Sequence, residues 1–198
     1  MHPLVPDEAW GGVISCGCDY DGETDDCANH WPDCPALENV GINFGAGFYN
    51  DHHFHYGYMI YSAAVVAKLI PEFGMTHFEK LNVWVRDIAN PSAEDPYFPV
   101  ARHKDWYFGG SWASGVVHPP NPNGRNQESS SEAVNAYDAV ALWGSVMHDN
   151  FKAAVERGED EHARLAISHV IRDTGRLLVA TEIRAAQFYW HNHDDEVG

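Results

Sequence analysis

The sequence predicts an all-α fold entered through an irregular, cysteine-containing segment. Three observations carry that expectation. Apolar residues recur at helical spacing in several long stretches. Cap and breaker residues bound those stretches. No stretch alternates apolar and polar residues firmly enough to read as a strand. With 198 residues the chain is long enough for one domain with a real core.

Residues 1–47 are punctuated throughout by Gly, Pro, Asp and Asn and hold no period for long. All four cysteines fall here: Cys16, Cys18, Cys27 and Cys34. Their spacings do not match the paired short gaps of zinc sites. Two disulfides stapling an acidic loop is the favoured reading, ahead of free thiols and then zinc. The stretch DYDGETD at 19–25 has a passing likeness to a calcium loop, but Thr24 holds the place of the required Gly. It reads as a solvated acidic loop.

Residues 50–70 read as a helix that Asn50 or Asp51 can cap, with apolar Tyr58, Met59, Tyr61, Val65, Val66 and Leu69 and a stop at Pro71. A shorter helix over 77–89 ends at Asn90-Pro91. Residues 91–127 form a long connection rich in Pro, Gly, Asn and Trp, and a loop of that length is usually functional. A third helix spans 129–149, with another turn or two over 151–157. After a break at Gly158 comes a last helix, about 160–190, interrupted near Gly175. The helix-loop-helix layout argues all-α.

The composition is 44% hydrophobic and 13% aromatic, which is globular rather than disordered. The formal charge is −17, and ten Asp or Glu precede the first cation, Lys68. Nucleic acid and anionic membrane are poor partners for that field, whereas a neutral substrate is indifferent to it. No apolar run approaches the ~18 residues of a membrane span. Met1-His2-Pro3 does not open a signal peptide, so the reading is an intracellular protein or a piece of a longer secreted chain.

Three stretches carry chemistry. In QESSSEAVNAY at 127–137, Glu128 and Glu132 stand one helical turn apart. Like charges so placed cost roughly 0.2–0.5 kcal/mol, so the pair reads either as functional or as a capping box on Ser129 with a spare acid. In NDHHFHYGY at 50–58, Asp51 and His55 share a helix face. Asp51 alone reads as an N-cap and the histidines as packed among aromatics. His52 and His53 point about 100° apart, which disfavours shared metal ligation. The loop at 101–115 mixes charge, indoles and glycines. It reads equally as a cleft wall suited to a sugar or as a buried loop whose Arg102, Lys104 and Asp105 neutralise one another. Two carboxylates across a cleft, one protonated and one ionised, suit glycoside cleavage. No nucleophile, phosphate-loop or dinucleotide motif competes.

These motifs, NDHHFHYGY at 50–58, RHKDWY at 102–107, SWASG at 111–115 and QESSSEAVNAY at 127–137, closely resemble glycoside hydrolase family 81, the endo-β-1,3-glucanases of the laminarinase type. TEIRAA at 181–186 also looks like a family segment, and the likeness runs in the family's order from about Gly11 to Trp190. The resemblance implies an inverting enzyme acting on β-1,3-glucan, with its site in an (α/α)6 toroid. Asp51 then matches the general acid, Glu128 the general base, and Glu132 a further acidic residue of the site. His55, His103, Asp105, Trp106, Trp112 and Tyr58 become the substrate-binding candidates. No cofactor is implied, the family needs no metal for catalysis, and its members are commonly secreted or wall-associated. Phe108 and Gly110 depart from the Asp and His usual in the family. The size implies a fragment, with 1–47 as entry segment and 48–198 as part of the toroid, whose helices would expose apolar faces. The competing expectations are a β-1,3-glucan-binding chain without activity and, more weakly, a His/Asp metal hydrolase.

Overall fold

The computed structural model describes residues 4–30, 32–116 and 124–191. Residues 117–123 of the long connection lie outside that description. Four α-helices dominate: α1 His52–Leu69, α2 Pro71–Ala89, α3 Ser130–Glu156 and α4 His162–Tyr189. They follow a two-stranded antiparallel hairpin, β1 Leu4–Asp7 and β2 Gly12–Ser15, in the register Val5 with Ile14.

The hairpin corrects the expectation of no strands. Its short strands carry no legible alternation, and tertiary contacts hold them. Val13 N donates to the Asp87 carboxylate of α2 at 3.0 Å, and the Tyr56 hydroxyl of α1 donates to Val13 O at 2.7 Å. The rest of the entry segment is stapled as expected, by disulfides Cys16–Cys34 and Cys18–Cys27. Two 3-10 turns, Pro35–Leu37 and Ile42–Phe48, then lead into α1.

The stop at Pro71 is also a start. A residue before proline is pushed out of the helical region, and Ile70 sits at φ −131°, ψ 83°. Pro71 then opens α2 at its first turn, where its missing N–H costs nothing. Thus α2 begins six residues earlier than its apolar pattern suggests. The third helix continues unbroken through Glu156 instead of stopping at 149 and restarting. Gly158, at φ 90°, makes the break before α4.

No interruption occurs near Gly175. A Cβ there would stand 2.4 Å from Ala141 N, so the glycine lets the backbones of α3 and α4 approach closely. Gly57 does the same between α1 and α3, where a Cβ would lie 2.6 Å from the Cα of Ala136. Helix α3 is therefore the central post, packed by α1 and α4 along their lengths. Phe78, Trp143, Met147, Phe151, Ile60 and Leu178 fill the core, and the Trp143 indole N–H is satisfied by Asn82 at 2.9 Å.

Candidate active site

The two carboxylates matched to acid and base occupy strained backbone. Asp51 has φ 56° and Glu128 φ 63°, both left-handed without being glycine. Such residues cost about 1–3 kcal/mol each and persist where the surroundings over-determine them. Asp51 takes the N-cap position of α1 as read from the sequence, but its side chain makes no capping bond. It is 6% exposed, and its Oδ1 is buried without a hydrogen-bond partner. Burial first, then the charges of Glu128 and Glu132, push its carboxyl up to about 7, while His52 opposes the rise. The charges of Glu128 and Glu132 thus both reach Asp51.

Glu128 stays outside the helix, on the exposed turn that precedes it. Its N–H donates to Asn126 Oδ1 at 2.9 Å, and its Oε2 accepts from Asn126 Nδ2 at 3.3 Å. Ser129 caps α3, accepting from Glu132 N at 3.2 Å. Half of the expected capping box is therefore made. The other half is not: the Ser129 N–H goes to Gln127 O, and Glu132 Oε1 instead accepts from the Tyr58 hydroxyl at 2.9 Å. The Gly57 contact that joins α1 to α3 puts Tyr58 opposite Glu132. His55 sits edge-on to Phe44, with centroids 5.0 Å apart, within electrostatic reach of Glu132.

The second group of candidates lines a cleft of about 410 Å³ walled by Tyr49, Arg102, His103, Asp105, Trp106, Trp112 and Arg125 among others. Tyr49 precedes Asp51 by two positions and Arg125 precedes Glu128 by three, but Asp51, Glu128 and Glu132 themselves do not line this cleft. Trp106 is 55% exposed and free to stack. Trp112 is held by Asp105, whose carboxylate accepts its indole N–H at 3.1 Å and also the amides of Tyr107 and Phe108. Those bonds, the Phe108 amide foremost, hold the Asp105 carboxyl below its usual range. Asp105 shapes the loop from within. Phe108 stacks on Trp112, centroids 5.2 Å apart, and occupies the space that a side chain at Gly110 would need.

His103 is a wall residue with little exposed surface. It is 4% exposed, stacks on His53 at 4.2 Å and donates its Nδ1–H to Trp112 O at 2.9 Å. Burial, then the neighbouring His52, pushes it down to about 3, so the ring is neutral. Both ring nitrogens of His52 face acceptors, Asp87 Oδ1 and Ala46 O, each at 2.8 Å. Burial alone would raise the Asp87 carboxyl, but the charges of His52 and Arg102 hold it below its usual range. These engagements leave His52 no lone pair for a metal. Among the described residues, no three His, Cys, Asp or Glu side chains are grouped to hold one.

The loop cations do not neutralise Asp105 between them. Arg102 lies on the Tyr49 ring, bonds Gly11 O and approaches Asp87 at 3.7 Å. Lys104 turns inward to Glu182 of α4 at 2.9 Å. Glu182 also accepts from Ser111 N at 3.1 Å, Ser111 Oγ at 2.9 Å and Gln127 Nε2 at 3.2 Å. Sequence reasoning missed this node. Its one sequence signal was the place of Glu182 inside the family-like TEIRAA segment.

Comparisons with known proteins agree with this layout. The family model described as the glycosyl hydrolase family 81 C-terminal domain matches residues 1–197. The chain is 39% identical over 153 residues, 76% of its length, to the primary septum glucan endo-1,3-beta-D-glucosidase of Schizosaccharomyces pombe. It is 34% identical over 189 residues, 95% of its length, to a glucan endo-1,3-beta-D-glucosidase of Glycine max. A solved mutant of a glycoside hydrolase family 81 protein from Clostridium thermocellum superposes with a TM-score of 0.69 at 29% identity, covering 98% of this chain. The chain spans 13%, 22% and 21% of those three proteins respectively.

Proposed function

From a chain that belongs to glycosyl hydrolase family 81, in its C-terminal domain, we propose an endo-acting β-1,3-glucan hydrolase that inverts the anomeric carbon. Its fold is all-α, part of an (α/α)6 toroid with a disulfide-stapled entry segment. The observation that carries the mechanism is the contrast between Asp51 and Glu128. Asp51 is buried, half-unpartnered and raised to about 7, so a substantial fraction keeps its proton near neutral pH, where an ordinary carboxyl has lost it. Glu128 is solvent-exposed on a turn that faces no capping duty.

Asp51 delivers its proton to the departing glycosidic oxygen as that bond breaks. A water on the opposite face of the sugar attacks the anomeric carbon, and Glu128 takes the proton that the water loses. Inversion requires room for that water, which sets a carboxyl separation of ~6.5–9.5 Å. Glu132, fixed by Tyr58, keeps the proton on Asp51 by repulsion. Trp106 and Trp112 offer ring faces to glucose units, with His55, His103, Asp105 and Tyr58 shaping the walls. A neutral glucan suits a chain of charge −17. The two disulfides support an oxidising compartment, secreted or at the cell wall.

Glu128→Gln is expected to abolish reducing-end release from laminarin, and NMR of the first product of the unsubstituted chain to show the α-anomer. Unchanged activity would sink the base assignment, and a β-anomer would sink inversion. A second reading, glucan binding without hydrolysis, follows from the chain's spanning 13% of its yeast relative. Laminarin retained on the chain without reducing-end release, while a longer family member cleaves it, favours that reading.

A further inference from the structure

We propose that Glu182 is a positioning residue that sets the spacing between Asp51 and Glu128. The inference rests on the acid–base reading above. Glu182 itself touches no solvent, so whatever it does for the reaction passes through other groups.

The route is short and made of hydrogen bonds. Ala113, fully buried, accepts from Asp51 N at 3.0 Å and donates its own N–H to Asn126 O at 2.7 Å. One residue therefore joins the acid arm to the base arm. Asn126 in turn holds Glu128 by two bonds. The loop segment carrying Ala113 is fixed at Ser111, whose N–H and hydroxyl both go to Glu182 and whose Oγ also meets the Tyr137 hydroxyl at 2.8 Å. The base arm is fixed a second time by Gln127, whose side chain reaches the same carboxylate at 3.2 Å. Lys104 supplies the balancing charge, and neither side chain of that pair has any exposed area.

A core ion pair serving stability alone would be replaceable by apolar groups of equal volume, often at no cost. Glu182 differs from that case. Its Oε1 binds Gln127 of the base arm, both of its oxygens bind Ser111, two residues before the Ala113 that joins the arms, and the carboxylates sit at φ 56° and 63°, where an unrestrained chain would relax. The cooperating bonds supply the over-determination that such strain requires.

Gln127→Met cuts the direct link to the base arm while leaving Glu182 its bonds to Lys104 and Ser111. Paired Lys104→Met with Glu182→Met removes the node without stranding a buried charge. In the full chain, both are expected to speed amide hydrogen exchange at Asn126, Glu128 and Ser129. They are expected to lower kcat on laminarin about 10- to 100-fold, with KM held within about twofold. A purely structural role would move Tm and leave that kcat-to-KM split unmoved. Exchange as slow as in the unsubstituted chain overturns the proposal, whether or not the chain hydrolyses laminarin. Faster exchange with unchanged kcat, in a chain that does hydrolyse it, also overturns it. Retained activity in Glu128→Gln sinks only the base assignment and leaves the exchange measurement to decide the positioning role.

Discussion

With its carboxyl buried and its Oδ1 unpartnered, Asp51 resists losing its proton, and two neighbouring carboxylates add to that resistance. The consequence for rate follows from sign. A general acid works while protonated, so kcat/KM should fall as pH rises through about 7, the value to which Asp51 is pushed in the free protein. Glu132→Gln deletes one of the negative charges that hold the proton in place. Asp51 then ionises more readily, and the alkaline limb should move to lower pH by a few tenths of a unit to about one unit. A pH series on laminarin checks both. A limb that stays put in Glu132→Gln detaches Glu132 from the acid, and a limb far above 7 detaches Asp51 from the proton transfer.

At the scale of elements, the site depends on how closely α4 approaches α3, because Glu182 reaches Ser111 and Gln127 across that contact. Gly175 sets the approach. Any side chain there meets the Ala141 backbone, which cannot give as a flexible side chain would. Gly175→Leu should therefore cost about 2–4 kcal/mol by overpacking and depress laminarin hydrolysis with it. Denaturant melts beside activity check the coupling; stability within about 0.5 kcal/mol of the unsubstituted chain removes Gly175 from that role. This also explains what the sequence could and could not reveal. Asp51, Glu128 and Glu132 stood out as acids flanking helix starts, but by pattern alone they read as caps, and only the family resemblance singled them out as a site. Gly175 was legible as an anomaly, but breaker and close-packing roles leave the same letter. The Lys104–Glu182 pair was illegible, since partners separated by 78 positions show no mutual spacing. The hairpin was illegible for a related reason: its strands are held by Asp87 and Tyr56, residues far along the chain.

For the molecule as a whole, apolar surface and net charge oppose each other. Helix α1 exposes Met59, Tyr61, Val65 and Leu69, the last at 76%, and α4 exposes Ile167, Val170, Leu177 and Ile183. Beside α1 lies a groove of about 300 Å³ lined by Val65, Leu69, Leu142 and Val146. These faces match the expectation for helices of an incomplete ring, and a patch of that kind favours association. A formal charge of −17 on every copy works against it. The balance is set by screening, since the Debye length falls from ~10 Å at 0.1 M salt to ~3 Å at 1 M. Repulsion weakens over that range while the apolar attraction does not. Sedimentation should therefore find monomers in dilute buffer and larger species as salt rises. Val65→Glu with Leu69→Glu should hold the chain monomeric throughout, because it places charge on the face that associates. Association that falls with added salt would assign the contact to charged groups, and a chain monomeric at every salt concentration would mean that these faces do not meet.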